Sequence, residues 1–143
     1  MKKIIALLLT TMSTVAFSAQ LEVNRTNLRA NVPGSDNTAA YAVLDNLTKE
    51  DVRIVKVESD VSEFTELHTH SMKNDRMIMR KVDYIDVDAE ETVYLAPNGY
   101  HIMLIKLKQR VKHGEIATIT LHYDDGTSQA VKFNVIDPRK LSN

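Results

Sequence analysis

The stretch Ile116-Ala117-Thr118-Ile119-Thr120-Leu121-His122-Tyr123 decides the fold class. On an extended chain Ala117, Ile119, Leu121 and Tyr123 share one face, and Thr118, Thr120 and His122 share the other. That period of two is the mark of a half-buried antiparallel strand. Asp124-Asp125-Gly126 follows with hairpin-turn chemistry, and Val131, Phe133 and Val135 repeat the alternation on a returning strand.

Outward from this hairpin the chain reads as more short strands. They are Glu22 to Arg29, Ala39 to Leu44, Val52 to Glu58, Phe64 to His70, Met77 to Val82, Thr92 to Leu95 and His101 to Leu107. Pro97-Asn98-Gly99 marks the turn before the last of these, and His113-Gly114 the turn after it. Ala39, Ala40 and Ala42 leave a short helix over Thr38 to Leu44 as the alternative reading there. Eight or nine strands at a spacing of about 8–12 residues predict an all-β domain, a β-sandwich or Greek-key barrel. With no repeat, low-complexity tract or linker, residues 20–143 read as one domain.

The first residues read as an export signal. Lys2 and Lys3 supply positive charge, Ile4 to Leu9 begin an apolar run, and Ala16-Phe17-Ser18-Ala19 offers small residues for cleavage after Ser18 or Ala19. Removing 18 or 19 of the 143 residues leaves a chain of 125 or 124. The apolar run falls short of the ~20 residues of a membrane span, so no stable membrane insertion is expected. Net charge moves from −1 to −3 without Lys2 and Lys3, and no basic block suggests a nucleic acid partner.

There are no cysteines. A disulfide framework, a thiol redox centre and a thioether-linked lipid anchor are therefore excluded for these residues. A soft-metal site would have to be built from methionine and histidine. Those residues are clustered. Met1 and Met12 fall in the signal segment, and Met72, Met77, Met79 and Met103 lie within a 32-residue window that also holds His101, with His68 and His70 just before it. Core methionines fill irregular gaps and would be expected to scatter. Neutral thioethers favour Cu(I), and imidazole binds copper in either oxidation state. On extended strands His101 and Met103 share a face, as do Met77 and Met79, and His68 and His70.

The spacing His68-x10-Met79-x21-His101-x-Met103 resembles the pattern of the periplasmic copper chaperones of the PCuAC type. Glu66-Leu67-His68, Met77-Ile78-Met79-Arg80 and Leu95-Ala96-Pro97-Asn98-Gly99-Tyr100-His101-Ile102-Met103-Leu104 resemble that family's three ligand segments. Weaker similarity extends to Arg29, Pro33-Gly34, Ala39-Ala40-Tyr41 and Asn46. Two positions depart from it: Asn98 stands where a second glycine is usual, and Asp75 lies in a loop where glycine is common. Asn tolerates left-handed backbone, so Asn98 is expected to preserve its turn.

The resemblance implies a cupredoxin-like fold that holds one Cu(I) per chain through His68, Met79, His101 and Met103. It also implies delivery to exported copper-acceptor proteins such as the copper centre of cytochrome c oxidase, from a monomer in the periplasm. Around that set, Met77, His70 and Met72 are candidate auxiliary ligands, although packing or solvated-loop roles suit them too. Glu66 is a candidate hydrogen-bond partner for a ligand imidazole. His113 and His122 read as surface residues, and a second site for Cu(II) through His70 or His113 stays open. Lys106, Lys108, Arg110 and Lys112 read as a solvated strand edge, or else as a docking patch for an acidic partner.

No enzyme is expected. A blue-copper centre needs a cysteine thiolate, and no Ser-His-Asp or paired-carboxylate arrangement stands out. A periplasmic copper buffer and a non-metal interaction module remain as alternatives to a delivering carrier.

Overall fold

A computed structural model describes residues 20–140, so the signal segment lies outside the described residues. The elements are β1 (Glu22–Arg29), β2 (Thr38–Asp45), β3 (Val52–Ser59), β4 (Ser62–Lys73), β5 (Arg76–Lys81), β6 (Ile85–Val87), β7 (Thr92–Leu95), β8 (His101–Leu107), β9 (Ile116–Tyr123) and β10 (Ser128–Ile136). A short 3-10 turn at Pro138–Lys140 follows. The fold is all-β and cupredoxin-like, as expected, with ten strands where eight or nine were read. The extra one is β6, whose three residues are too few to show a period.

Hydrogen-bonded neighbours run β5-β4-β8-β2-β1-β10-β9-β3-β6, with β7 also on β2. Every pairing is antiparallel except β1 with β10. β9 behaves as its sequence demands: Ala117, Ile119, Leu121 and Tyr123 are buried, and they meet Val131, Phe133 and Val135 of β10 in the core. The alanine-rich stretch is a strand, not a helix. Thr38, Ala40, Ala42 and Leu44 alternate into the core, because hydrogen-bonded neighbours on both edges and burial of one face override the helix preference of alanine.

One irregularity of β2 positions the rest of the molecule. β7 pairs along Ala42 to Asp45, and β8 pairs along Thr38 to Ala40 on the same edge. Between them, opposite Tyr41, the chain from Ala96 to Tyr100 swings out as a loop. Ala96 N–H donates to the Tyr100 carbonyl (2.8 Å) and Gly99 N–H to the Ala96 carbonyl (3.0 Å). The turn is preserved as expected, but not through left-handed backbone, since neither Asn98 nor Gly99 has a positive φ. Left-handed backbone does occur at the tip of the β4–β5 hairpin, at Asn74 (φ 51°) and Asp75 (φ 59°). Two consecutive positive φ values are what a two-residue turn between right-twisted strands requires.

β8 lies between β4 and β2, so the basic run beginning at Lys106 does not guard a sheet edge. Lys106 instead pairs with Glu63 at 3.6 Å, and its ammonium lies 5.2 Å from the Phe64 ring centroid. Among the described residues no helix is long and apolar enough to cross a membrane.

Candidate metal centre

Register brings the scattered histidines and methionines onto one surface. β4 and β8 align Glu66 with Met103 and His68 with His101. β4 and β5 align His70 with Met79 and Met72 with Met77. Directly opposed residues share a face, as do residues two apart on one strand. Glu66, His68, His70, Met72, Met77, Met79, His101 and Met103 therefore all lie on one face of the β5-β4-β8 sheet. The opposite face carries Leu67, Ile102 and Leu104 into the core.

His101 is the anchor of this surface. It begins β8 directly after the excursion at Ala96–Tyr100 and is only 3% exposed, although it stands on the outer face. Its Nδ1–H donates to the Gly99 carbonyl at 3.0 Å. A carbonyl accepts only, so Nδ1 must carry the proton of the neutral ring. Burial is the main cause holding the His101 pKa below the ordinary imidazole value, with the nearby His70 and His68 acting the same way against the Gly99 carbonyl. The neutral ring leaves Nε2 with a bare lone pair, and that lone pair faces Met79 Sδ at 3.0 Å. Two electron-pair donors thus confront one another with no proton to share. A soft cation between them would turn that opposition into two bonds.

His68 shows the complementary arrangement. Its Nε2–H donates to Glu66 Oε2 at 2.8 Å, and Lys81 Nζ donates to Glu66 Oε1 at 3.1 Å. The His68 hydrogen bond is the largest cause lowering the Glu66 pKa, and Lys81 adds to it, so the carboxylate stays ionised. With Nε2 committed, the remaining nitrogen, Nδ1, is buried and has no hydrogen-bond partner. A carboxylate that fixes the tautomer and leaves the other nitrogen free is the usual environment of a metal-ligating imidazole.

His70, Met79, His101 and Met103 line one concavity of about 430 Å³ together with Tyr41 and Pro97. His68 stands beside it, its ring centroid 5.8 Å from that of His101. Met79, Met77 and Met72 are largely exposed at 48%, 53% and 65%, since β5 pairs only with β4 and all six of its residues face solvent. Among the described residues no three His, Cys, Asp or Glu side chains gather as a ligand set by themselves. A metal held here would therefore need methionine sulfur. His113 and His122 are committed elsewhere: Asp137 N–H donates to His113 Nδ1 at 3.2 Å, and His122 Nε2 meets Glu58 Oε2 at 2.7 Å.

Three contributors were not legible from residue type. Tyr41 packs its ring 6.4 Å from that of His101, Gly99 supplies the carbonyl that sets the His101 tautomer, and Lys81 braces Glu66. The β4–β5 register reveals Lys81, and the loop leading into β8 reveals Gly99.

Residues 21–135 match the family described as Putative lipoprotein LpqE-like. The chain is 31% identical over 105 residues to Putative lipoprotein Lxx21020 of Leifsonia xyli subsp. xyli (strain CTCB07), an alignment covering 73% of this chain and 63% of that relative's length. Among solved structures, the copper-bound PCuAC domain from PmoF2 superposes with a TM-score of 0.70 at 20% identity, covering 84% of this chain and 95% of that one. The solution structure of CuI-DR1885 from Deinococcus radiodurans superposes with a TM-score of 0.66 at 28% identity, covering 81% of this chain and 77% of that one. The chain accordingly belongs to the LpqE-like family, and its resemblance to the PCuAC-type copper chaperones holds in fold as well as in sequence.

Proposed function

We propose that this protein is an exported copper chaperone that holds one Cu(I) through His68, Met79, His101 and Met103 and performs no catalysis of its own. One observation carries the reading: the bare Nε2 of His101 and the Sδ of Met79 face each other at 3.0 Å. The free, buried Nδ1 of His68 supports it, as does the likeness to the copper-bound PCuAC domain from PmoF2 and to CuI-DR1885. Copper is cargo here. His101 supplies a buried, oriented nitrogen, whereas Met79 supplies a sulfur that solvent and a partner can reach. An exposed thioether carries no proton, so it can bind or leave without a titration step.

The recipients in this reading are exported copper-acceptor proteins, such as the copper centre of cytochrome c oxidase. The protein acts as a monomer in the periplasm, after removal of a leader ending at Ser18 or Ala19, through one domain spanning residues 20–143. Its relatives carry the word lipoprotein in their names, whereas these 143 residues contain no cysteine to hold a thioether-linked lipid.

Anaerobic competition against a Cu(I) chelator tests the site. The wild-type protein is expected to bind one equivalent, and His101→Ala, Met79→Ala and Met103→Ala to bind at least about tenfold more weakly. Unchanged affinity in all three variants would overturn the assignment. Transfer of the ion to a purified exported acceptor separates delivery from buffering, because a buffer would retain it.

A further inference from the structure

The strand order ends on β5 at one side and β6 at the other, and the two ends are finished differently. β6 is three residues long, with Ile85 and Val87 buried, and its exposed Asp86 accepts from Arg53 at 2.6 Å. So short an edge offers little to a passing chain. β5 has six residues, all exposed, with no proline and no break in its register against β4. Its apolar side chains, Met77, Ile78 and Met79, stay in solvent.

The hairpin register shows which backbone groups of β5 are free. Lys73 opposes Arg76 across a turn of only Asn74 and Asp75, so these two form the hydrogen-bonded pair that closes the hairpin. Bonded and non-bonded pairs then alternate, and the N–H and C=O groups of Met77, Met79 and Lys81 point away from β4. Val82 N–H donates to the Leu67 carbonyl at 2.9 Å, just beyond the opposed His68 and Lys81, in keeping with that phase. Among the described residues no other strand or loop backbone bonds to this outer edge.

Charge selects the occupant. Arg76 and Arg80 flank Ile78 on the face away from the metal centre, and neither joins an ion pair among the described residues. They stand out in a chain whose formal net charge is −1. A second copy added antiparallel in the register centred on Ile78 would set Arg76 of each copy opposite Arg80 of the other. Like charges directly opposed are destabilising, and an acidic strand reverses the sign.

We propose that the free edge of β5 docks an extended acidic segment of another protein, which adds to the sheet as a further strand. Its carboxylates face Arg76 and Arg80, and its backbone pairs with Met77, Met79 and Lys81. Its alternate side chains come to lie opposite Met77 and Met79, on the exposed side of the proposed metal centre. The docking itself rests on the edge and its charge, not on bound copper.

The test uses the metal-free protein without its leader and a synthetic peptide alternating glutamate with valine, with a lysine–valine peptide as control. Amide hydrogen exchange, followed by nuclear magnetic resonance, is expected to slow at Met77, Met79 and Lys81 with the glutamate peptide and to stay unchanged with the control. Arg76→Glu combined with Arg80→Glu is expected to weaken binding at least about tenfold. Met77→Pro deletes an outward N–H at an edge position where proline is tolerated, and is expected to abolish binding. Circular dichroism verifies that both variants fold. No protection in the wild type, or unchanged binding by the charge-reversed variant, overturns the inference. So does a wild-type dimer that Met77→Pro dissolves, because a second copy would then occupy the edge. Protection by the glutamate peptide in a protein without Cu(I) affinity would sink the proposed function and leave the docking edge standing; Cu(I) binding without protection would do the reverse.

Discussion

β9 and β5 are both antiparallel strands beside a tight turn, yet they do opposite things. β9 is flanked by β10 and β3 and buries every second side chain. β5 is an outermost strand, pairs only with β4, and buries none of its six residues. Apolar residues occur in both. In β9 they enter the core, where each fully buried Leu, Ile or Phe contributes roughly 1.5–3 kcal/mol. In β5, Met77, Ile78 and Met79 remain at the surface, where they contribute little to folding. The difference separates stability from chemistry. A core strand sacrifices access for packing, and in the proposed function β5 needs access because cargo must enter and leave.

Four perturbations would break or sharpen that contrast. The largest effect should come from the β9–β10 side. Phe133→Ala removes a fully buried ring and is expected to cost about 3–5 kcal/mol in urea unfolding. Cu(I) affinity of the molecules that stay folded should be retained. A loss below about 1 kcal/mol would show that the core is not centred there.

Met79→Ala should invert the pattern. Without metal its stability should stay within about 1 kcal/mol of wild type, given a half-exposed side chain. With Cu(I) at a hundredfold excess over its dissociation constant, the wild type should gain about 2.7 kcal/mol, and the variant should lose most of that protection. Thermal melts with and without Cu(I) read both quantities. Equal protection in the two proteins would remove Met79 from the site.

A smaller effect is expected at the hairpin tip that joins β4 to β5. Asp75 sits at φ 59°, which glycine adopts freely. Asp75→Gly should stabilise the metal-free protein by up to about 1 kcal/mol and leave Cu(I) affinity intact. Destabilisation would mean that the Asp75 side chain does more than occupy the turn.

The smallest effect is expected at Glu58, whose carboxylate pairs with Lys56 at 2.8 Å and with His122 at 2.7 Å on the sheet surface away from the site. Lys56 first, then His122, hold its pKa below the ordinary value. A depressed carboxylate contributes stability above its unfolded pKa and loses that contribution as pH falls through the folded pKa. Glu58→Gln should therefore lower stability near neutral pH by no more than about 0.5 kcal/mol and slightly flatten the acid limb of the melting curve. A larger loss would make this exposed pair a structural element.

Legibility followed the range of the interaction. Ala117 to Tyr123 announced a strand because burial of alternate residues is written locally, and the Asp124-Asp125-Gly126 turn sits beside it. β6 was silent because three residues give no period, and its place is set by distant partners. Asn46 is one: buried, it donates to the carbonyls of Glu50, Val87 and Asp88, tying the end of β2 to β6 across more than forty residues. The alanines of β2 left helix open because their propensity favours it, and neighbours on both edges overrode that preference. The reading of Lys106 as an edge guard failed for the same reason. Strand order is not visible in a single strand.

For the candidate centre, the sequence alone determined the kind of donor available: thioether and imidazole without thiolate, bunched in one stretch of a β protein. Only the tertiary structure decided which donors meet. The register of β5-β4-β8 sets His68 beside His101 and His70 beside Met79, and the Ala96–Tyr100 excursion buries His101 and fixes its proton on Nδ1. The physical reason is that side-chain alternation is a property of one strand, whereas register depends on which backbone groups distant strands place opposite one another, and the His101 tautomer on the turn that brings the Gly99 carbonyl onto its ring.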